Sequence, residues 1–164
     1  MKNAKRYDSR ITIGGVPDNE DLQQLKAQGY KTLIDLRDPD EKFGGWVERN
    51  ARELGLRYVD IPISREAIRM EDVTRFIESL YEKGSAPIYA FSRFGRRPLA
   101  LLLLFEAVAK KEHLPTIYRK ASRFGLNLQG DLLLQEFLME IYNSRKVEPL
   151  VESIRSLRPD LFDR

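Results

Sequence analysis

From Ser92 to Arg97 the chain reads Ser-Arg-Phe-Gly-Arg-Arg, which sets one hydroxyl, one glycine and three guanidinium groups between two apolar stretches. The run before it, Ile88-Tyr89-Ala90-Phe91, reads as a buried strand, and Pro98 opens an almost wholly apolar helix from Leu99 to about Ala109. The first N–H groups of a helix lack intrahelical acceptors and carry partial positive charge, so a loop wrapped over them favours an anion. Gly95 lets the main chain approach that anion, and Arg93, Arg96 and Arg97 offer forked donors that match phosphate oxygens. Arginines at a helix N-terminus oppose its dipole, and an anion between them removes the conflict. The backbone of Arg93, Phe94, Gly95, Arg96 and Arg97 is therefore the expected phosphate cradle. Arg37 and Arg65, from neighbouring strand ends, extend it into a positive bowl, and Tyr118, Arg119, Lys120 and Arg123 are placed either on its rim or on a surface helix.

Covalent chemistry at this loop would fall to Ser92. A serine hydroxyl is a poor nucleophile at neutral pH unless a base takes its proton. The single histidine of the chain, His113, follows a helix that leads away from the loop and is assigned to the surface. Ser92 is thus expected to hydrogen-bond phosphate and scarcely to attack it.

The elements that position the loop follow from periodicity. Ile11-Thr12-Ile13 reads as a strand ending at Gly14-Gly15, and Asp18 or Asn19 caps a helix that closes at Gly29. Tyr30 to Leu36 is a buried strand stopped by Arg37-Asp38-Pro39-Asp40-Glu41. Trp46, Val47, Ala51 and Leu54 recur at helical spacing. Leu56 to Ile63 is a strand, and Pro62, which cannot donate to a ladder, sets it near an end or an edge. Val73, Phe76, Ile77 and Leu80 make one face of a helix ending at Gly84. The result is a repeating strand–helix alternation. It predicts an α/β fold with a mainly parallel four- to five-stranded sheet flanked by helices and ligands beyond the carboxyl ends of the strands. The remainder, with helices at about 116–124, 131–142 and 149–157, is expected to be an all-helical C-terminal part.

At 164 residues with 42% apolar content, the chain is expected to be one domain, 1–164, with a substantial core. A net charge of +3 suits small anions or phosphorylated partners and is too slight to predict nucleic-acid binding. The absence of cysteine excludes disulfides and thiol chemistry. Met1-Lys2-Asn3-Ala4-Lys5-Arg6 has no apolar run behind it, so no signal peptide is expected. The run from Leu99 to Phe105 is too short for a membrane span. The expectation is a soluble cytoplasmic protein without metal or organic cofactor.

Four pieces together resemble the bacterial dual-specificity and tyrosine-phosphatase-like superfamily. They are Ile13-Gly14-Gly15-Val16-Pro17, Leu33-Ile34-Asp35-Leu36-Arg37 with Glu41 behind it, the stretch from Leu54 to Ile63, and the Ser92 loop. The likeness runs from about Ile11 to Tyr142. It extends to the domain related to beta-lactamase-hydrolase-like proteins and to the phosphatase-like part of certain NAD kinases. In the superfamily the phosphate loop (P-loop) reads His-Cys-x-x-Gly-x-x-Arg, or Cys-x-x-Gly-x-Arg in some branches. Phe91 then falls at the histidine, Ser92 at the cysteine and Gly95 at the glycine. Arg97 fits the shorter spacing, whereas the longer one reaches Pro98. The resemblance implies a phosphate clamp at Arg97 and, after the third strand, a general acid for which Glu66 is the nearest carboxylate, with Asp38 and Asp40 as alternatives.

The functional expectation is a catalytically impaired pseudophosphatase that binds phosphate, a phosphorylated protein or a phosphorylated small molecule. Two alternatives stand beside it: an active phosphatase in which serine has been substituted for a nucleophilic cysteine at 92, and a non-enzymatic interaction scaffold.

Overall fold

A computed structural model of the chain describes residues 4–64 and 66–162. Five strands, β1 (Lys5–Arg6), β2 (Ile11–Gly14), β3 (Thr32–Asp35), β4 (Arg57–Asp60) and β5 (Ile88–Phe91), form one sheet in the order β1-β2-β5-β3-β4. β2, β5, β3 and β4 run parallel to their neighbours, and β1 alone is antiparallel. The central strand β5 is buried along its whole length. Its alternate residues point to opposite faces, as the two-residue period of a strand requires.

Ile88 and Ala90 join Ile34, Phe76 and the apolar side of α4 (Arg96–Ala109) in the larger core. Tyr89 and Phe91 join Leu33, Leu22 of α1 (Asn19–Ala27) and Val47 of α2 (Trp46–Glu53) in the smaller one. Helix α3 (Met70–Tyr81) buries Val73, Phe76, Ile77 and Leu80 as the spacing predicts. α5 (Leu114–Arg123), α6 (Leu132–Ser144), α7 (Glu148–Leu157) and the short α8 (Pro159–Phe162) make up the helical C-terminal part. The parallel α/β arrangement read from the alternation is thus the fold observed.

Where fold and sequence reading differ, the cause is local. β1 was not anticipated because its two residues are charged and exposed, leaving no apolar pattern to announce a strand. It forms by pairing Lys5 with Ile13 and Arg6 with Thr12. Helix α4 starts at Arg96 rather than at Pro98, because Gly95 in the left-handed conformation (φ 82°) turns the chain into the helix two residues earlier. No helix among the described residues is long and apolar enough to cross a membrane.

The N-terminal segment is tied to α4 by a polar contact. The Tyr7 hydroxyl donates to Glu106 Oε2 at 2.8 Å, and its ring stacks on Phe124. Burial works against ionisation of Glu106, but hydrogen bonds from Lys110 and Tyr7 and the charges of Lys110 and Lys120 outweigh it, holding the carboxyl below its usual range. A carboxylate with a depressed folded pKa contributes stability above its unfolded value, and that contribution disappears as the pH falls through the folded value. Glu106→Gln is therefore expected to be less stable than the parent at neutral pH, with the difference narrowing in acid. Urea midpoints measured from pH 7 down to pH 3 check this, and a gap that stays constant with pH refutes it.

Candidate functional site

The chain leaves β5 at Phe91 and enters the loop through Ser92, whose N–H donates to the Gly14 carbonyl at 3.3 Å. The Ser92 side chain is buried, and its Oγ accepts the Gly95 N–H at 3.2 Å. The loop thus curls back on its own first residue. A Cβ at Gly95 would lie 3.1 Å from both the carbonyl carbon and oxygen of Gly14, so this position has neither the space nor the backbone angle for a side chain. The Gly14 and Ser92 loops meet as the parallel topology requires, at the carboxyl ends of adjacent strands.

A cavity of about 530 Å³ opens over this loop. Ser92, Arg93, Phe94, Arg96 and Arg97 line one wall, Asp38, Asp40 and Glu41 after β3 another, and Ser64, Glu66 and Ile68 after β4 a third. Asp131, Leu133 and Leu134, at the start of α6, complete it. The last group was missed in the sequence. Asp131 was recognised as a helix boundary, and it does cap α6 by accepting the Leu134 N–H. Nothing in its local spacing tells which end of that helix meets the Ser92 loop.

Three expectations about charge are corrected. Arg37 does not line the cavity. Its guanidinium lies buried on Asp35, with Nε 3.0 Å from Oδ1 and one terminal nitrogen 2.8 Å from Oδ2, and over the Phe91 ring. Asp35 is wholly buried at the end of β3 and takes the nearest cation as counter-charge, together with the Tyr58 hydroxyl. Burial and the Asp35 carboxylate push the Tyr58 phenol well above its ordinary pKa. Second, the described residues do not form a positive bowl, since among them five carboxylates face three guanidinium groups. Tyr118, Arg119, Lys120 and Arg123 do not line it, and Lys120 instead pairs with Glu106 and Glu112. Arg65 lies outside the described residues.

The third correction concerns Arg97. One terminal nitrogen donates to the Leu36 and Ile63 carbonyls at 3.1 and 3.3 Å. The other donates to Glu41 Oε1 and Oε2 at 2.7 and 2.9 Å. Both terminal nitrogens of the expected clamp are thus spent on protein acceptors. Glu41 Oε1 also accepts the Asp38 N–H at 2.8 Å, while Asp38 accepts the Asp40 N–H, so the short 3-10 turn at Pro39–Glu41 is capped from both sides. Arg93 and Arg96 have no described carboxylate partner, and each stacks on the exposed Phe94 ring, 5.0 and 5.4 Å from its centre. His113 stands exposed before α5, away from the cavity lining. No cluster of three or more His, Cys, Asp or Glu able to hold a metal ion occurs among the described residues.

A strand–loop–helix cradle at the carboxyl edge of a parallel sheet is the arrangement of the dual-specificity and tyrosine-phosphatase-like proteins. Residues 2–118 match the family described as DSP-PTPase phosphatase fused to NAD+ kinase, and the chain belongs to that family. It is 34% identical over 109 residues to a beta-lactamase hydrolase-like protein of Agrobacterium fabrum, covering 64% of this chain and 25% of that protein. The chain spans only 13–25% of the length of the curated relatives it matches. Among solved structures, the core catalytic domain of the PP-IP phosphatase SIW14 from S. cerevisiae, in complex with citrate, superposes with a TM-score of 0.74 at 18% identity, covering 93% of this chain and 92% of that one. A P. aeruginosa TpbA structure in complex with pTyr gives 0.69 at 11% identity, covering 93% and 90%. At these identities the likeness is one of fold.

The Glu41–Arg97 pair is nearly buried on both sides. Removing one partner leaves the other charge uncompensated, so Glu41→Ala is expected to cost about 3–5 kcal/mol in urea unfolding, whereas the paired replacement Glu41→Leu with Arg97→Met recovers most of it. Equal stability of Glu41→Ala and the parent would show that the pair does not hold the loops.

Proposed function

We propose that the chain is a catalytically impaired phosphatase-like domain that holds a phosphate monoester over the Ser92 to Arg97 loop without hydrolysing it. The observation that carries this reading is the state of Ser92. Its hydroxyl is buried at the base of the cavity, its described hydrogen bond is the one accepted from Gly95, and neither histidine nor lysine is among the residues lining the cavity. A hydroxyl without a strong base does not become an alkoxide at neutral pH, whereas a cysteine thiolate at the same helix N-terminus needs none. Of the carboxylates, Glu41 is engaged with Arg97, Asp38 and Asp131 accept backbone N–H groups, and Asp40 and Glu66 are exposed side chains on other loops, weak bases at neutral pH.

In this reading the unpaired N–H groups at the start of α4 and the Arg93 and Arg96 guanidinium groups bind the phosphate oxygens. The Ser92 hydroxyl donates its own hydrogen to the anion. Arg97 holds the loop in shape rather than clamping the ligand, and Arg37 takes no part. The bound citrate and pTyr of the two structural neighbours support an anion as the occupant of such a cavity.

A second reading, an enzyme silenced by the residue at 92 alone, is favoured by Glu66. This exposed side chain lines the same cavity, where a general acid would be needed. Ser92→Cys assayed with p-nitrophenyl phosphate separates the two, because turnover in that variant alone means that the remaining apparatus is intact. For the parent chain, calorimetry is expected to show phosphate or vanadate binding with no hydrolysis above buffer. Replacing Arg96 by alanine is expected to weaken binding by about 1.5–3 kcal/mol, the range for a hydrogen bond to a charged group. Turnover by the unmodified chain at an ordinary enzymatic rate of about 1 per second or faster would overturn the proposal.

A further inference from the structure

The charges lining the cavity sort into those that have partners and those that do not. Glu41 and Arg97 satisfy each other, Asp38 accepts the Asp40 N–H, and Asp131 accepts the Leu134 N–H. Four side chains remain: the guanidinium groups of Arg93 and Arg96, whose described contacts are with the Phe94 ring, and the carboxylates of Asp40 and Glu66, which have no described side-chain partner. Two unpaired groups of each sign therefore line one cavity without pairing with one another. A buried polar group joins them, since the Ser92 hydroxyl accepts a hydrogen bond and keeps its own hydrogen for an occupant. The cations stand on the Ser92 loop and the anions across the cavity on the loops after β3 and β4, so the site carries charge of both signs.

We infer that the site selects a zwitterion: a phosphate monoester that carries an ammonium group within a few bonds of the phosphate. The phosphate rests on the Ser92 loop with Arg93 and Arg96, and the ammonium lies between Asp40 and Glu66. A ligand bearing several phosphates meets the opposite situation. Its second phosphate would face those two carboxylates, and like charges brought together in a partly desolvated cavity repel. This inference rests on the proposed phosphate binding and adds the second half of the ligand. Its chemistry can come from a small amino-phosphate or from a phosphorylated peptide with a lysine near the phosphorylated residue.

Calorimetry on the full chain at low salt, with ethyl phosphate, O-phosphoethanolamine and pyrophosphate, tests it. O-phosphoethanolamine is expected to bind roughly three- to tenfold more tightly than ethyl phosphate, the gain from an ammonium between two exposed carboxylates. Pyrophosphate is expected to bind more weakly than either. The ratio between the first two ligands should fall to about one in the double variant Asp40→Asn with Glu66→Gln, and in the parent it should shrink as salt is raised. A phosphoserine peptide with lysine two residues away, compared with its alanine counterpart, assigns the source: a lysine preference equal to the small-molecule ratio points to peptides, and no preference to a small amino-phosphate. Equal affinities for ethyl phosphate and O-phosphoethanolamine, or tightest binding of pyrophosphate, overturns the inference while leaving phosphate binding standing. Failure of all three ligands to bind overturns both.

Discussion

The bidentate contact between Glu41 and Arg97 is the interaction on which the cavity depends. It joins residues 56 positions apart, and through the same guanidinium it also reaches the Leu36 and Ile63 carbonyls. Three loops, following β3, β4 and β5, thus converge on one planar group. Taking two charges out of water is costly, and only a full set of hydrogen bonds offsets it. Here both carboxylate oxygens and both terminal guanidinium nitrogens are used. The free-energy gain from such a pair over an apolar replacement is small, but its geometry is directional. It fixes where the loops stand relative to one another, as a hydrophobic contact would not. A cavity whose walls are set in this way binds a ligand without first having to order them.

The same contact explains where the sequence misled. The loop composition made three arginines look equivalent, because their charge is visible in the chain and their partners are not. Asp35, Glu41 and the carbonyls that capture Arg37 and Arg97 lie on other elements or at strand ends, where only the folded register decides which side chain turns inward. Arg37 turns in because Asp35, two residues before it, is wholly buried and must be neutralised. By contrast, elements specified by local rules were legible. The helix cap at Asp18 or Asn19, the buried strand at Ile88–Phe91 and the apolar face of α3 each follow from local pattern, and the structure puts the cap on Asp18. Strand β1 and the contribution of α6 to the cavity depend on tertiary pairing and were invisible for that reason.

The site shows how one residue of register along a helix changes what an arginine does. Gly95 caps α4, so Arg96, Arg97 and Pro98 occupy its first three positions. Successive residues of a helix are turned by about 100°, and moving an arginine by a single position swings its side chain through a quarter of the circumference. At 97 it reaches the ends of β3 and β4. Position 98, which the longer superfamily spacing reserves for arginine, holds a proline, whose missing N–H costs little in a first turn because that group would have had no intrahelical acceptor. The substitution removes a donor from the cradle without disturbing the helix. Set against that spacing, the loop has a hydroxyl at 92 and no arginine at 98, while Gly95 still leads it into a helix N-terminus. In the proposed reading, binding rests on backbone N–H groups and on Arg93 and Arg96. Catalysis asks for more, namely groups that act more strongly on the transition state than on the bound ester.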